Sequence, residues 1–225
     1  MGFFYTATDK EIYAIRRKIF TKKGILLLYN NAFEKSLFST PCFGKYSNQL
    51  HTYDLCKLTE DSMLQMITVH ILGSDKWIQI KLNIFQLDNT IKCLQQLNNV
   101  DGIKFHLTAL TISEMRLHSD DFKGIPLLNY DFMFRNHKLK SYCTKWGLER
   151  SIKKLEHRIV TDLTNFDKYV ARWHKIFSPL QTTIEGEIIG HSNMSFDKRP
   201  EMTGLIKRFN DAKHKDKKHA TSILK

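Results

Sequence analysis

The sequence predicts an α+β fold in which a sheet-rich first half packs with one long amphipathic helix, and three patterns carry that expectation. Apolar residues alternate over 63–72 and 77–87 on either side of Gly73-Ser74-Asp75-Lys76, the pattern of a hairpin (63–87) with one apolar face. A further alternating run, Ile103, Phe105, Leu107 and Ala109, reads as a strand over 103–112. From Leu148 to Phe177 an apolar residue returns every third or fourth position, which predicts a helix over 148–177.

The remaining elements follow in order. Thr8 and Glu11 have the spacing of a capping box, so a helix is expected over about 9–23, with Gly24 as its C-terminal cap and Lys10, Arg16, Arg17 and Lys23 on its solvent side. Ile25–Tyr29 reads as a buried strand, and 32–61 as irregular, with Pro41 and Gly44 as punctuation. Asp88 is placed to cap a short helix through Leu97. Leu127–Phe134 and Thr183–Ile189 read as strands, Ser178-Pro179 ends the long helix, and Pro200 opens a helix over about 201–211. No internal repeat or low-complexity linker divides the chain. A single α+β domain over 1–206 is expected, divisible into sheet-rich 1–140 and helical 141–206 halves, with a basic mobile tail over 207–225.

Composition narrows the function classes. Hydrophobic residues make up 42% and charged residues 26%, the balance of a globular chain rather than a disordered or membrane-channel one. No apolar run approaches the length of a membrane span, and the start lacks the cationic segment and cleavage site of a secretory signal. An intracellular protein, soluble or peripherally associated with a membrane and not secreted, is expected. Cys42, Cys56, Cys93 and Cys143 are spaced too unevenly for a disulfide framework or a zinc site, so free thiols are expected. Asn193-Met194-Ser195 is then an accidental glycosylation pattern. The GxxxxGK[ST], GxGxxG, HExxH and GxSxG signatures are absent from the sequence, and the ten histidines include no tight ligand pair; neither cofactor nor metal is expected.

Charge is the strongest pointer to a partner. The net charge is +12, and residues 103–225 hold 23 Lys/Arg against 14 Asp/Glu, whereas residues 1–102 hold 12 against 9. A polyanion, nucleic acid or an anionic membrane surface, is the implied partner. Arg150, Lys154, Lys168, Arg172 and Lys175 each lie two residues from an apolar position and so form a cationic back to the long helix. Lys207, Arg208, Lys213, Lys215, Lys217 and Lys218 extend that character into the tail. Tyr142, Trp146 and Tyr169 are the aromatics placed to stack on bases.

Three functions follow as expectations. The leading one is a non-enzymatic nucleic-acid-binding protein, RNA favoured over DNA, that grips phosphates through the helix back and tail. The second is a matrix-like peripheral membrane protein, since Gly2 and Thr6 match an N-myristoylation pattern followed by a basic helix. The third is a metal-independent ribonuclease. Arg150 and His157 are separated by six residues, a spacing that fits the loose Arg-to-His pattern of HEPN-type ribonucleases, with the histidine as acid or base and the arginine stabilising negative charge. The rest of such a domain is not recognisable, and Arg208 with His214 meets the same loose pattern. Asp120, Asp121 and Lys123 read as a polar turn, and Glu185 with Glu187 as carboxylates on a solvated strand face.

Overall fold

The computed structural model describes residues 5–39, 43–98, 100–108, 114–117, 137–139 and 144–190. Its centre is an eight-stranded sheet with one helical layer across one face. The expected α+β class holds: antiparallel strands dominate the first half, and a long helix follows.

The first helix, α1 (Asp9–Ile19), starts at the expected capping box. Thr8 Oγ1 accepts from the Glu11 backbone at 3.2 Å, and the Glu11 carboxylate accepts from the Thr8 backbone at 2.8 Å. That second bond, with the Tyr5 hydroxyl, holds the Glu11 carboxyl below its ordinary range. Gly24 does not end the helix, and Ile25–Tyr29 is not a strand. The backbone passes through a π turn (Phe20–Gly24) directly into α2 (Ile25–Asn30). Gly24 serves packing instead: a Cβ there would lie 2.4 Å from Cδ2 of the fully buried Phe20 ring. With Gly24 spent inside the helix, the apolar run after it finishes as helix, and its Leu28 is buried in the core.

The stretch expected to be irregular holds three strands: β1 (Glu34–Lys35), β2 (Gly44–Ser47) and β3 (Leu50–Leu58). Both short strands pair with β3, which runs antiparallel to β4 (Met63–Leu72) in unbroken register from Leu50 opposite Leu72 to Leu58 opposite Leu64. β4 and β5 (Gln79–Gln86) form the expected hairpin. Asp88 accepts from the Thr90 backbone at 2.8 Å, but only a 3₁₀ turn (Leu94–Leu97) follows.

The strand expected over 103–112 is corrected for its described part: Ile103–Thr108 is a short helix, α3. Asp101 Oδ1 accepts from the Ile103 backbone at 3.0 Å. That local cap outweighs the β propensity of the run, and Phe105 turns fully inward, between Phe38 and Phe85. After β6 (Met115–Arg116), which pairs with β5, come α4 (Lys145–Thr164) and α5 (Phe166–Ile176). The single helix expected over 148–177 is therefore two. Asn165 leaves helical geometry at φ −99°, ψ 32°, and its side chain bonds the Thr161 carbonyl at 2.8 Å. The apolar stripe survives the break, since Leu148, Leu155, Ile159, Leu163, Phe166 and Trp173 are all buried.

β7 (Leu180–Thr182) then lies parallel to β5, and β8 (Ile188–Gly190) returns beside it. The strand expected over Thr183–Ile189 is a turn for most of its length, with Gly186 at φ +80°, a left-handed conformation that glycine adopts without strain. Glu185 and Glu187 sit in or beside this turn, both reaching Lys104, at 3.9 and 2.5 Å. The Lys104 hydrogen bond lowers the Glu187 carboxyl below its usual range.

One sheet face meets α1, α2, α4 and α5 through Tyr53, Leu55, Ile67, Val69, Ile71, Ile80, Leu82 and Ile84. One arginine fastens this layer to the hairpin. Arg16, expected at the surface, is fully buried. Nη1 donates to Asp75 Oδ1 at 2.7 Å and to the Trp77 carbonyl at 2.5 Å; Nη2 donates to the Leu72 and Asp75 carbonyls, both at 2.7 Å. The guanidinium fork fills the mouth of the β4–β5 turn.

Two stability outcomes follow, both readable from denaturant midpoints. Arg16→Leu leaves the turn carbonyls and Asp75 buried without that donor and should cost about 3–5 kcal/mol. Gly24→Ala, which in a free helix would gain about 1 kcal/mol, should instead lose about 1–3 kcal/mol because its Cβ meets Phe20.

Candidate functional site

The cationic back of the long helix is borne by α4 and α5. On α4 the outermost positions run Trp146, Arg150, Lys153, Lys154 and His157, all exposed. Thr144 starts the helix by accepting from the Gly147 backbone at 3.1 Å, which fixes where Trp146 emerges. Trp146 is 69% exposed, and the Arg150 guanidinium lies over its ring, 5.5 Å from the centroid. Lys153 belongs to this stripe but was absent from the expected set. On α5, beyond the Asn165 break, Lys168, Arg172 and Lys175 are exposed as expected. The break separates the cations into two runs rather than one continuous ridge.

A second source of charge joins them. The π turn and α2 pack against α4, and Asn31 Nδ2 donates to the Leu163 carbonyl at 3.0 Å. The first helix brings exposed Lys18, Lys22 and Lys23 into the same layer, with no acidic residue from Ile12 to Phe33. Of these three, the sequence placed only Lys23 on the solvent side, and it could not show that α4 lies alongside.

Other expected residues do not converge. Arg150 and His157 share the exposed side of α4 but stand two turns apart, about 10 Å along the axis. Tyr169 is only partly exposed; its hydroxyl donates to Asp162 Oδ1 at 2.9 Å, whose other oxygen meets His137 at 2.6 Å. That group is interior scaffolding rather than a stacking platform. Gly2, Asp120, Asp121, Lys123, Tyr142, Asn193-Met194-Ser195, Lys207, Arg208, Lys213, Lys215, Lys217 and Lys218 lie outside the described residues, as do the 127–134 strand and the 201–211 helix. Cys56 is buried and free, its thiol pushed up to about 12 chiefly by burial; Cys93 is exposed and free.

The other face of the sheet holds a group of residues the sequence had not marked. The register aligns Asp54, Thr68, Lys81 and Arg116 across four strands, with Thr52, His70 and Gln79 in the next row. Asp54, Lys81 and Arg116 are each at most 6% exposed. Asp54 Oδ2 lies 3.3 Å from His106 Nε2, and Lys81 Nζ lies 3.1 Å from Glu114 Oε1. Burial, reinforced by Lys81 and His106, pushes the His70 imidazole down to about 3, so it is neutral at physiological pH. Two carboxylates thus face two fixed cations, with the neutral imidazole of His70 among them. Such a set can do acid–base chemistry, but it is enclosed, and Lys81 is already paired with Glu114. The only trace in the sequence is that the polar positions of β3, β4 and β5 alternate with the apolar ones.

Comparison of the chain with models of known families, with curated proteins and with solved structures finds no match. Among the described residues no helix is long and apolar enough to cross a membrane, and no cluster of three or more His, Cys, Asp or Glu is placed to hold a metal ion.

The His70 environment has a pH consequence with a definite sign. Because its folded value lies below the ordinary one near 6.5, the unfolded chain takes up the proton first. Stability is therefore full above pH 6.5 and falls toward pH 3, by up to about 1.4 kcal/mol per pH unit for one proton. His70→Gln should flatten that part of a pH series of denaturation midpoints relative to wild type.

Proposed function

We propose that the protein is a non-enzymatic nucleic-acid-binding protein, with single-stranded RNA its favoured ligand, held on the outer side of the helical layer. The exposed Trp146 with Arg150 over its ring is the observation that carries the proposal. A large aromatic ring kept in water by a rigid helix is a platform for an unpaired base, and RNA presents such bases in loops and ends. Arg150, Lys153 and Lys154 next to it offer successive phosphate contacts. Lys18, Lys22 and Lys23 from the neighbouring helix and Lys168, Arg172 and Lys175 from α5 widen the track, and the tail lysines extend it by sequence.

A second reading rests on α2, where Leu26 and Tyr29 are 58% and 44% exposed just beyond Lys22 and Lys23. Apolar side chains beside cations suit an anionic membrane surface, and an acyl chain at Gly2 would add the second anchor such a surface needs.

A salt titration of binding to a single-stranded RNA oligomer discriminates between them. Affinity should fall steeply with salt, and the double reversal Lys154→Glu with Arg172→Glu should reduce the logarithmic slope by at least about 1. Trp146→Ala should weaken binding about 5- to 100-fold, the worth of one stacked base, while leaving the slope nearly unchanged. Binding that ignores salt and Trp146 would overturn the nucleic-acid proposal. Flotation with anionic vesicles that depends on Leu26 and Tyr29 would establish the membrane surface instead.

A further inference from the structure

On the flank of α1 opens a cleft of about 670 Å³, between that helix and two turns of the sheet. Its size is that of a small-molecule site. One wall is a single helical face, since Lys10, Tyr13, Ala14 and Arg17 follow the i, i+3, i+4, i+7 spacing. The opposite wall is made by two turns, β2–β3 at Asn48-Gln49 and β4–β5 at Gly73-Ser74, tied together by Gly73 N–H donating to the Gln49 carbonyl at 2.7 Å. The Arg16 fork fixes the β4–β5 turn against α1, so both walls are held by interior bonds.

Behind the helical wall stands His51, only 7% exposed. Arg17 Nη1 lies 3.3 Å from its Nε2, and the Tyr13 hydroxyl lies 2.5 Å from its Nδ1. A guanidinium can only donate, so Nε2 accepts, and the neutral ring then carries its proton on Nδ1 and donates to the Tyr13 oxygen. Burial, with Arg17 and Lys45 nearby, holds the imidazole below its usual range and so supports this neutral form. The Tyr13 hydroxyl keeps its own proton to offer outward, beside the Arg17 guanidinium. Tyr13 is further held between the edge of the His51 ring and the Arg16 guanidinium, 5.9 Å from its centroid.

The cleft therefore has two chemically distinct walls. On the helical wall Arg17 and the Tyr13 hydroxyl, one turn apart and both meeting His51, are donors suited to a phosphate, with Lys10 a further turn away. Asn48 and Gln49 offer amide donors and acceptors of the kind that read a base edge, and Asp9 offers an acceptor for sugar hydroxyls. We propose that this cleft binds a nucleoside monophosphate unit, free or at the end of a strand. The site shares no side chain with the Trp146 stripe, so each stands or falls on its own.

The test uses the full chain titrated with AMP, UMP and inorganic phosphate, following the backbone amides of Asn48, Gln49, Gly73 and Ser74 by NMR. The nucleotides should shift those amides at millimolar concentration or below, and inorganic phosphate should bind several-fold more weakly. Arg17→Gln should weaken nucleotide binding about tenfold or more, the worth of a charge-assisted contact. Ala14→Leu, an exposed helix-compatible change, should block the cleft without altering the melting temperature. Trp146→Ala should leave this binding intact. An oligonucleotide with a phosphorylated end that binds better than its hydroxyl-ended twin identifies the strand end as the source; equal binding of the two, with AMP or UMP retained, identifies the free nucleotide. No shift of these amides, or equal nucleotide binding by wild type, Arg17→Gln and Ala14→Leu, overturns the proposal.

Discussion

The buried Arg16 guanidinium ties together parts of the chain that would otherwise meet only through apolar contact. It lies between α1 and the β4–β5 turn, where the Asp75 carboxylate and the Leu72, Asp75 and Trp77 carbonyls converge on it. A guanidinium out of water is unfavourable unless its donors are used, and here Nη1 and Nη2 each serve two acceptors. Hydrophobic burial alone would let the helix slide along the sheet, because apolar contact is not directional. The fork is directional. It sets the angle of α1 to the hairpin, and through α1 the position of the π turn and α2 against α4.

The sheet built on that anchor has two unlike faces. Toward the helices it is largely apolar, with His51 the polar exception under α1. On the other side it is apolar at one end, around Cys56, Leu64, Met66 and Phe85, and polar at the other, around Asp54, Thr68, His70 and Lys81. Lys81 there has Glu114 beside it at 3.1 Å, and a paired charge is more easily buried than a lone one. With stability residing in these interior layers, the outer side of the helices is free of packing demands. It can carry Trp146 and a dense set of cations without weakening the core.

The consecutive residues Arg16, Arg17 and Lys18 show how a run of like charge divides its work. Each step along a helix turns the side chain by about 100°, so the three cannot share an environment. Arg16 enters the interior, Arg17 borders the cleft beside Tyr13 and His51, and Lys18 stands on the outer surface. Anion recognition in this protein is thus proposed at two sites of different character. One is an open track along a helix layer; the other is a bounded cleft whose groups are held from behind.

Much of the fold was legible because it rests on local rules. The Thr8–Glu11 box, the 63–87 hairpin and the apolar stripe from Leu148 to Phe177 each express a period or a cap that needs no distant partner. Errors arose where a distant partner or a short polar contact overrode the pattern. Gly24 looked like a cap until the Phe20 ring claimed its space, the Ile103 run looked like a strand until Asp101 capped it as a helix, and Asn165 cut a stripe whose periodicity continues across the break. β3 escaped notice because Asp54 and Lys57 depress strand propensity, and only pairing along all of β4 offsets that. The sequence by itself determined the fold class, the apolar faces and the excess of basic charge, since these depend on composition and near-neighbour spacing. Only the tertiary structure decided which charges are interior and which are outward, because the burial of Arg16, Asp54 and Lys81, and the cleft before His51, arise from residues far apart in the chain that meet once the sheet is assembled.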